Sequence, residues 1–269
     1  MELKKRHKIE EAFHDAWAKV IDLGEIDPRR SFEAVTSAEN RQIMQWMGAI
    51  RGKRILDLGC GLGDAAVYFA MQGAKVTAVD ISPGMVSVVK RLAKREKVSG
   101  RVKAMRAVGE KLPFKDASFD FVYGNGVLHH LDTEVSGPEI ARVLKKGGRG
   151  IFIEPLAYNP VINVYRALAS GVRTEAEAPM TYAKFRRLGS YFKSYRLEEL
   201  QFLTLGILLW FFFIEFQNPS KVRYWKKIVN EDAKYGPAFK VLRAIEKGLL
   251  AVLPFLKPLC WNVVVEYQK

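Results

Sequence analysis

Cysteine is nearly absent: Cys60 and Cys260 are the only two in 269 residues. Two isolated thiols form neither a disulfide framework nor a metal-ligand pattern. No metal site is therefore expected, and a reducing cytoplasm is the natural setting. Cys60 also sits in a glycine loop, where a crosslink is hard to build. No internal repeat or low-complexity tract is present. The basic opening "MELKKRHKIEEAF" is not followed by an apolar h-region, so a secretory signal is not expected there. No apolar run reaches the roughly 20 residues of a membrane span. The longest, "FLTLGILLWFFFI" from Phe202 to Ile214, is uncharged but too short. Acidic residues are in deficit: 29 Asp and Glu face 43 Lys and Arg, a net charge of +14. The excess is spread evenly, with +7 in residues 1–150 and +7 in 151–269, so there is no basic tail. Such a surface favours nucleic acid, an acidic membrane or an acidic substrate, or is simply cationic.

What is present is ordinary for a globular chain, with 49% hydrophobic and 27% charged residues. Residues 53–155 alternate short β-branched runs with helical patterns, the rhythm of a parallel sheet with crossover helices. "RILDL" (Arg54–Leu58) predicts the first strand, followed by a glycine turn and a helix over 65–72. "KVTAVD" is the second strand, and Ser82 and Pro83 open the next helix as N-cap and first helical residue. "VKAMRA", "FDFVYG" and "GIFIEP" are strands three to five, the last entered through the turn "KKGGRG". "YRLEELQFL" is a further strand candidate ending near Leu203, and Cys260–Tyr267 is a final strand. Ahead of the sheet, Ile9, Phe13, Trp17, Val20 and Ile21 recur at helical spacing.

The chemistry is carried by "ILDLGCGLGD", Ile55–Asp64. Glycines 59, 61 and 63 allow a sharp strand-to-helix turn and close approach of a ligand to the backbone. A dinucleotide fingerprint has the spacing G-x-G-x-x-G, whereas this loop reads G-x-G-x-G with Asp57 just before it. A carboxylate there would repel a pyrophosphate but suits an ammonium group. Asp80, at the end of the second strand, is placed to accept both hydroxyls of a ribose. Acid, glycines and acid on successive strand ends fit a nucleoside that carries a cationic amino acid, the shape of S-adenosylmethionine.

"ILDLGCGLGD", "VTAVDISPGM", "EKLPFKDASFDFVYGNGVLHHL" and "RVLKKGGRGIFIEP", in this order over about 54–155, resemble the successive motifs of class I S-adenosylmethionine-dependent methyltransferases. The resemblance implies an α/β fold: a Rossmann-like, seven-stranded, mostly parallel sheet with an antiparallel last strand. Around it would lie a helical N-terminal lid (1–50), a cofactor-binding core (51–155), an acceptor-binding cap with a helical apolar insertion (156–259) and the final strand (260–269), all in one domain. It implies that Asp57, Gly59, Cys60 and Gly61 surround the methionine end. Asp80 would hold the ribose and Ile81 the adenine, with Met85 and Asn125 completing the cofactor set. The family commonly has an acid near position 108; Val108 stands there, which leaves the Gly109 backbone and Glu110 to serve.

Methyl transfer needs a base only if the acceptor loses a proton during attack. His129 and His130, after strand four, are candidates to line the acceptor side. Tyr158, with Glu154 and Asn159, follows strand five at the ligand-binding end of the sheet. His14 is either a solvated surface histidine or closes over the cofactor with Phe13 and Trp17. Nucleic-acid methylation is the rival reading. No Asn-Pro-Pro-aromatic segment or Pro-Cys pair supports it, and no appended RNA-binding module is seen. A second rival is a cofactor-binding protein without catalysis. The apolar run, a second run "GLLAVLPFLKPLCW", and Lys221, Arg223, Lys226, Lys227, Trp210, Trp225 and Trp261 around them form either a self-packed cap or a membrane-interface segment. Both versions give the acceptor site an apolar roof. The expected partner is a hydrophobic small molecule or lipid-like acceptor, such as a quinone precursor, prenylated compound, phospholipid or natural product. Placement in the cytoplasm, or peripherally on the inner membrane surface, follows as an expectation.

Overall fold

The computed structural model describes residues 3–169, 173–174 and 177–269. Parts of the expected lid (Met1, Glu2) and cap (170–172, 175–176) lie outside these described residues. Strands β1 (Arg54–Leu58), β2 (Lys75–Asp80), β3 (Val102–Arg106), β4 (Phe119–Asn125), β5 (Leu144–Pro155), β6 (Ser194–Leu200) and β7 (Asn262–Gln268) form one sheet. Their order is β3-β2-β1-β4-β5-β7-β6. The first five pair in parallel, and β7 runs antiparallel between β5 and β6. Ile55, Leu56 and Leu58 of the central strand are all buried. This explains why "RILDL" lacks the polar alternation of a one-sided sheet. The strand order reverses between β1 and β4, and such a switch point opens a crevice at the carboxyl ends of the strands.

Helices α1 (Leu3–Val20), α2 (Pro28–Glu33) and α3 (Ala38–Met47) precede the sheet. The crossover helices α4 (Asp64–Met71), α5 (Pro83–Arg95) and α6 (Thr133–Val143) cover its faces. Ser82 caps α5 by accepting from the Met85 N–H, with Pro83 in the first turn. Helix α1 docks on that same turn: the Asp15 carboxylate accepts from Ser82 Oγ and, at 2.9 Å, from the Gly84 N–H. Gly84 is required by proximity, since a Cβ there would meet Ala18 Cβ at 2.8 Å.

Two strand boundaries differ from the sequence expectation. The turn expected at "KKGGRG" is absorbed into β5, which begins at Leu144. Gly147 takes φ +74° and the register against β4 slips between Phe119 and Phe121, so the extra residues form a bulge. Strand β6 stops at Leu200, short of Leu203. Gln201 adopts φ +65°, and the N–H groups of residues 201–204 turn onto one carboxylate, Glu246. Glu246 is fully buried on α11 (Asp232–Val252) and is neutralised by Arg243 at 2.7 Å. That bond set starts α9 (Leu205–Phe213), the core of the long apolar run. One side of α9 (Leu205, Ile207, Leu208, Phe211) packs with Tyr224 and Ile228 of α10 (Tyr224–Asn230) and with Tyr235 and Phe239 of α11. The other side is exposed. Helices α7 (Pro160–Leu168) and α8 (Tyr182–Gly189) complete the region before β6. No helix among the described residues is long and apolar enough to cross a membrane.

Candidate active site

A cavity of about 530 Å³ opens at the switch point. Its floor is the β1 end and the glycine loop. Gly59 holds φ +66°, and a Cβ on it would lie 2.5 Å from Val127 Cγ2, so both the conformation and the space demand glycine. The loop folds back so that the Gly61 N–H donates to Asp80 Oδ2 at 2.9 Å, while the Ser82 N–H donates to Oδ1 at 2.9 Å. Each Asp80 oxygen thus keeps acceptor capacity for a second donor. Asp57 is buried beside it, and its Oδ2 has no hydrogen-bond partner among the described residues. Burial, reinforced by the charge of Asp80, pushes the Asp57 carboxyl up to about 8. Burial also raises Asp80, against the Ser82 N–H and His14, which favour its charged form. The Cys60 thiol is pushed up by burial and by Asp80 and is not a thiolate.

The opposite wall is built from the ends of β4 and β5 and from α1. Glu154 at the end of β5 is fully buried and accepts from the N–H groups of Val127, Leu128 and His129. Its Oε2 lies 2.7 Å from His129 Nδ1. An ionised carboxylate only accepts, so Nδ1 carries the hydrogen and Nε2 holds the free lone pair. Burial, with His130 adding repulsion, lowers His129 below the usual imidazole range. His130 Nδ1 lies 3.0 Å from Glu10 of α1. Burial alone would lower His130, but the contact with Glu10 prevails and raises it. His14, one turn along α1, is lowered chiefly by burial, and its Nδ1 is buried without a partner. Thr174 Oγ1 donates to Glu10 at 2.6 Å, and Glu177 pairs with Arg173. His129, His130 and Glu177 bring three potential metal-ligating atoms within 4.8 Å of one another, with Arg173 already bound to Glu177.

Most of the expected site residues converge here. Asp57, Gly59, Cys60, Gly61, Asp80, Ile81, Gly109, Glu110, Asn125, His14, His129 and His130 all line the cavity. Glu110 is further engaged with His7 of α1 at 3.2 Å. Two expectations are corrected. Met85 is fully buried in the cluster of Ala18, Val67, Val88 and Leu92 and does not line the cavity, because its position on α5 faces α1. Tyr158 is 40% exposed, stacks on Tyr182 and accepts from the Tyr182 N–H at 3.0 Å, outside the cavity. Glu154 supports His129 from beneath rather than lining the wall, and Asn159 caps α7. Sequence reasoning missed Glu10, which in a helix with charged neighbours looks like a solvated residue. Its helical phase with Phe13, His14 and Trp17 was the available signal.

A family profile described as "Methyltransferase domain" matches residues 56–152, which covers β1 to β5 and the cavity floor. An O-methyltransferase of Aspergillus nomiae is 33% identical over 157 residues, 55% of this chain and 70% of that protein. The chain belongs to the class I S-adenosylmethionine-dependent methyltransferases. S-Adenosyl-L-methionine is the cofactor of this family of enzymes. A demethylmenaquinone methyltransferase of Clavibacter sepedonicus is 39% identical over 106 residues, 39% of this methyltransferase and 42% of that protein. Among solved structures, geranyl diphosphate C-methyltransferase from Streptomyces coelicolor A3(2) superposes with a TM-score of 0.57 at 16% identity. That structure contains Mg2+, geranyl-S-thiolodiphosphate and S-adenosyl-L-homocysteine, and the match covers 86% of this chain and 76% of that one. At such identity the likeness establishes the shared fold. Beyond the first relative, the methyltransferase spans about half the length of the next curated relatives, 47% and 53%.

The raised Asp57 has a consequence for stability. Its folded value, about 8, lies above the unfolded value, 3.8, so the folded chain holds a proton that the unfolded chain releases. Stability from this group therefore falls as pH rises between those two values. Asp57→Asn removes that fall. Thermal unfolding of the cofactor-free protein should show the variant gaining on the wild type by about 3 °C or more at pH 9, and by less at pH 5. Parallel Tm curves from pH 5 to 9 would contradict the assignment.

Proposed function

We propose that this enzyme transfers the methyl group of S-adenosylmethionine to an apolar small-molecule acceptor bound between the His129–His130 wall and the helical insertion. The observation that carries this reading is the makeup of the cavity roof. Phe13 and Trp17 of α1, Leu208 of α9, Trp225 of α10 and Trp261 all face the same space as the histidines. The O-methyltransferase and demethylmenaquinone methyltransferase relatives support a small-molecule acceptor. The cofactor end fits the same reading. The partnerless Asp57 Oδ2 suits an ammonium group, and the remaining acceptor capacity of Asp80 suits ribose hydroxyls. Ile81, Gly109 and Asn125 line the rest of that half. Bound there, S-adenosylmethionine supplies a methyl group already activated by its sulfonium.

The chain then supplies position, exclusion of water and a proton acceptor. Holding the reacting atoms in line supplies much of the acceleration of a displacement. His129 is the base in this reading: it is neutral, its Nδ1–H is held by Glu154, and its Nε2 is free. His130, paired with Glu10, is the more basic of the two and shapes the wall, while His14 closes the α1 side. His129→Gln should lower kcat by about 10²-fold for a hydroxyl acceptor, with affinity for S-adenosylhomocysteine unchanged. Because burial holds His129 below the usual imidazole range, the acid-side midpoint of the wild-type kcat profile should fall below pH 6.5. A variant with wild-type kcat would remove His129 from the chemistry.

We infer further that the acceptor is taken from a membrane surface. Leu208 of α9 lines the cavity, while Trp210, Phe213, Ile214 and Phe216 on and just after the same helix are 51%, 61%, 55% and 83% exposed. Lys221 lies on the following turn and the chain carries +14, so anionic lipid would add attraction to apolar insertion. The protein should float with phosphatidylglycerol-containing vesicles, and salt should only partly release it. Trp210→Ser/Phe213→Ser should sink. Recovery of the wild type wholly in the pellet would refute membrane contact.

A further inference from the structure

We propose that the acceptor carries an anionic group, a carboxylate or a phosphate, which Arg223 and Tyr165 receive at the roof of the cavity. This rests on the acceptor reading above and narrows it. Four basic side chains from the cap line the cavity: Arg166, Arg173, Arg223 and Lys226. Lys226 is paired with Glu25 at 3.2 Å and Arg173 with Glu177. Arg166 donates to Asn163 Oδ1 at 2.8 Å and the Leu156 carbonyl at 2.9 Å, with no carboxylate partner. Arg223 makes no side-chain hydrogen bond or ion pair with any described residue. Its guanidinium carbon lies 3.8 Å from the centre of the Trp17 ring. A stacked guanidinium presents one face to the ring and keeps its edge donors for a planar or tetrahedral anion.

A second orphan stands on the same side. Tyr165 Oη is buried and donates to no described residue; the Tyr224 N–H is near enough to favour its oxygen, which leaves the hydroxyl hydrogen unused, and its ring lies 6.1 Å from that of Trp261 at the entry to β7. Tyr165 sits on α7, which leaves the end of β5, so it belongs to the acceptor half rather than to the cofactor half under β1 and β2. Burial pushes this hydroxyl up to about 12, so it stays protonated as a donor; Arg173 and Arg223 are near enough to oppose the shift. The acids of this half are already matched, Glu10 by His130 and Glu177 by Arg173. Arg223 and Arg166 remain without a carboxylate partner among the described residues. A half-buried guanidinium stacked on Trp17 and a buried hydroxyl beside Trp261, each with donors left over among the described residues, describe a receptor for an apolar molecule with an acidic head.

The test uses the full chain saturated with S-adenosylhomocysteine and follows tryptophan fluorescence. Decanoate, decyl phosphate and decanol are titrated below their micelle concentrations. An anionic probe should bind about tenfold or more tighter than decanol, and whichever of the two is preferred identifies the head group. Arg223→Gln should erase the preference while leaving decanol and S-adenosylhomocysteine affinities in place. Tyr165→Phe, a change that keeps the ring packing, should reduce the preference a few-fold. Equal binding of all three probes would overturn the anion site and leave the apolar acceptor reading standing. Failure of decanol and both anions to bind would sink the apolar reading itself. If Arg223→Gln weakens S-adenosylhomocysteine but keeps the anion preference, the arginine serves the carboxylate of the cofactor and the proposal is wrong.

Discussion

Two carboxylates buried at neighbouring strand ends set the terms for this structure. Asp57 and Asp80 lie at the carboxyl ends of β1 and β2, out of water and close enough for each to oppose ionisation of the other. Buried like charges are tolerated only when donors or cations answer them. The glycine loop answers Asp80 with the Gly61 N–H, and the α5 turn answers with the Ser82 N–H. No described residue answers Asp57 Oδ2, and burial holds its carboxyl at about 8, so the cofactor-free protein keeps that proton at neutral pH. The unmet acid and the open acceptor capacity beside it leave the cavity floor with sites for further donors.

The other elements close around that pair. Asp15 fastens α1 to the same turn that orients Asp80, which brings Phe13, His14 and Trp17 over the cavity. From the other side, Glu246 gathers four consecutive N–H groups and fixes the departure of α9 from β6. The two halves meet where Arg223 of the insertion stacks on Trp17 of α1. Helix α1 and the insertion therefore line one cavity, with His129 and His130 on its wall. Polar backbone is satisfied at the edges of the insertion by a few buried acids, which leaves the apolar faces free to pack inward or to remain exposed.

The sheet was legible because its signals are local. The central strands β1, β2, β4 and β5 carry apolar runs that are largely buried on both faces, and Asp57, the glycines and Asp80 stand at strand ends that meet at one cavity. Ser82–Pro83 announced α5 by a cap that needs no distant partner. What failed to read depended on side-chain direction or long-range pairing. Met85 lies beside the motif but its helical phase turns it toward Ala18. Tyr158 follows a strand end like a site residue, yet Tyr182, 24 residues on, holds it outside. Glu10 and Glu246 carry no local signal of their roles, and Arg223 read only as one of the basic residues between the two apolar runs. Each is instead placed by a partner brought near through tertiary packing. The long apolar run read correctly as too short for a span, but that only one side of α9 is covered depends on α10 and α11.

Calorimetry of S-adenosylhomocysteine binding, in buffers of differing ionisation enthalpy, tests the role of Asp57 most directly. A ligand ammonium beside Asp57 favours the ionised carboxylate, so binding at pH 7 should release close to one proton. Affinity should rise with pH until about 8, where the carboxyl of the free protein loses its proton. Asp57→Asn should abolish the proton release and weaken binding. Proton-neutral binding by the wild type, with full affinity retained in Asp57→Asn, would contradict the account.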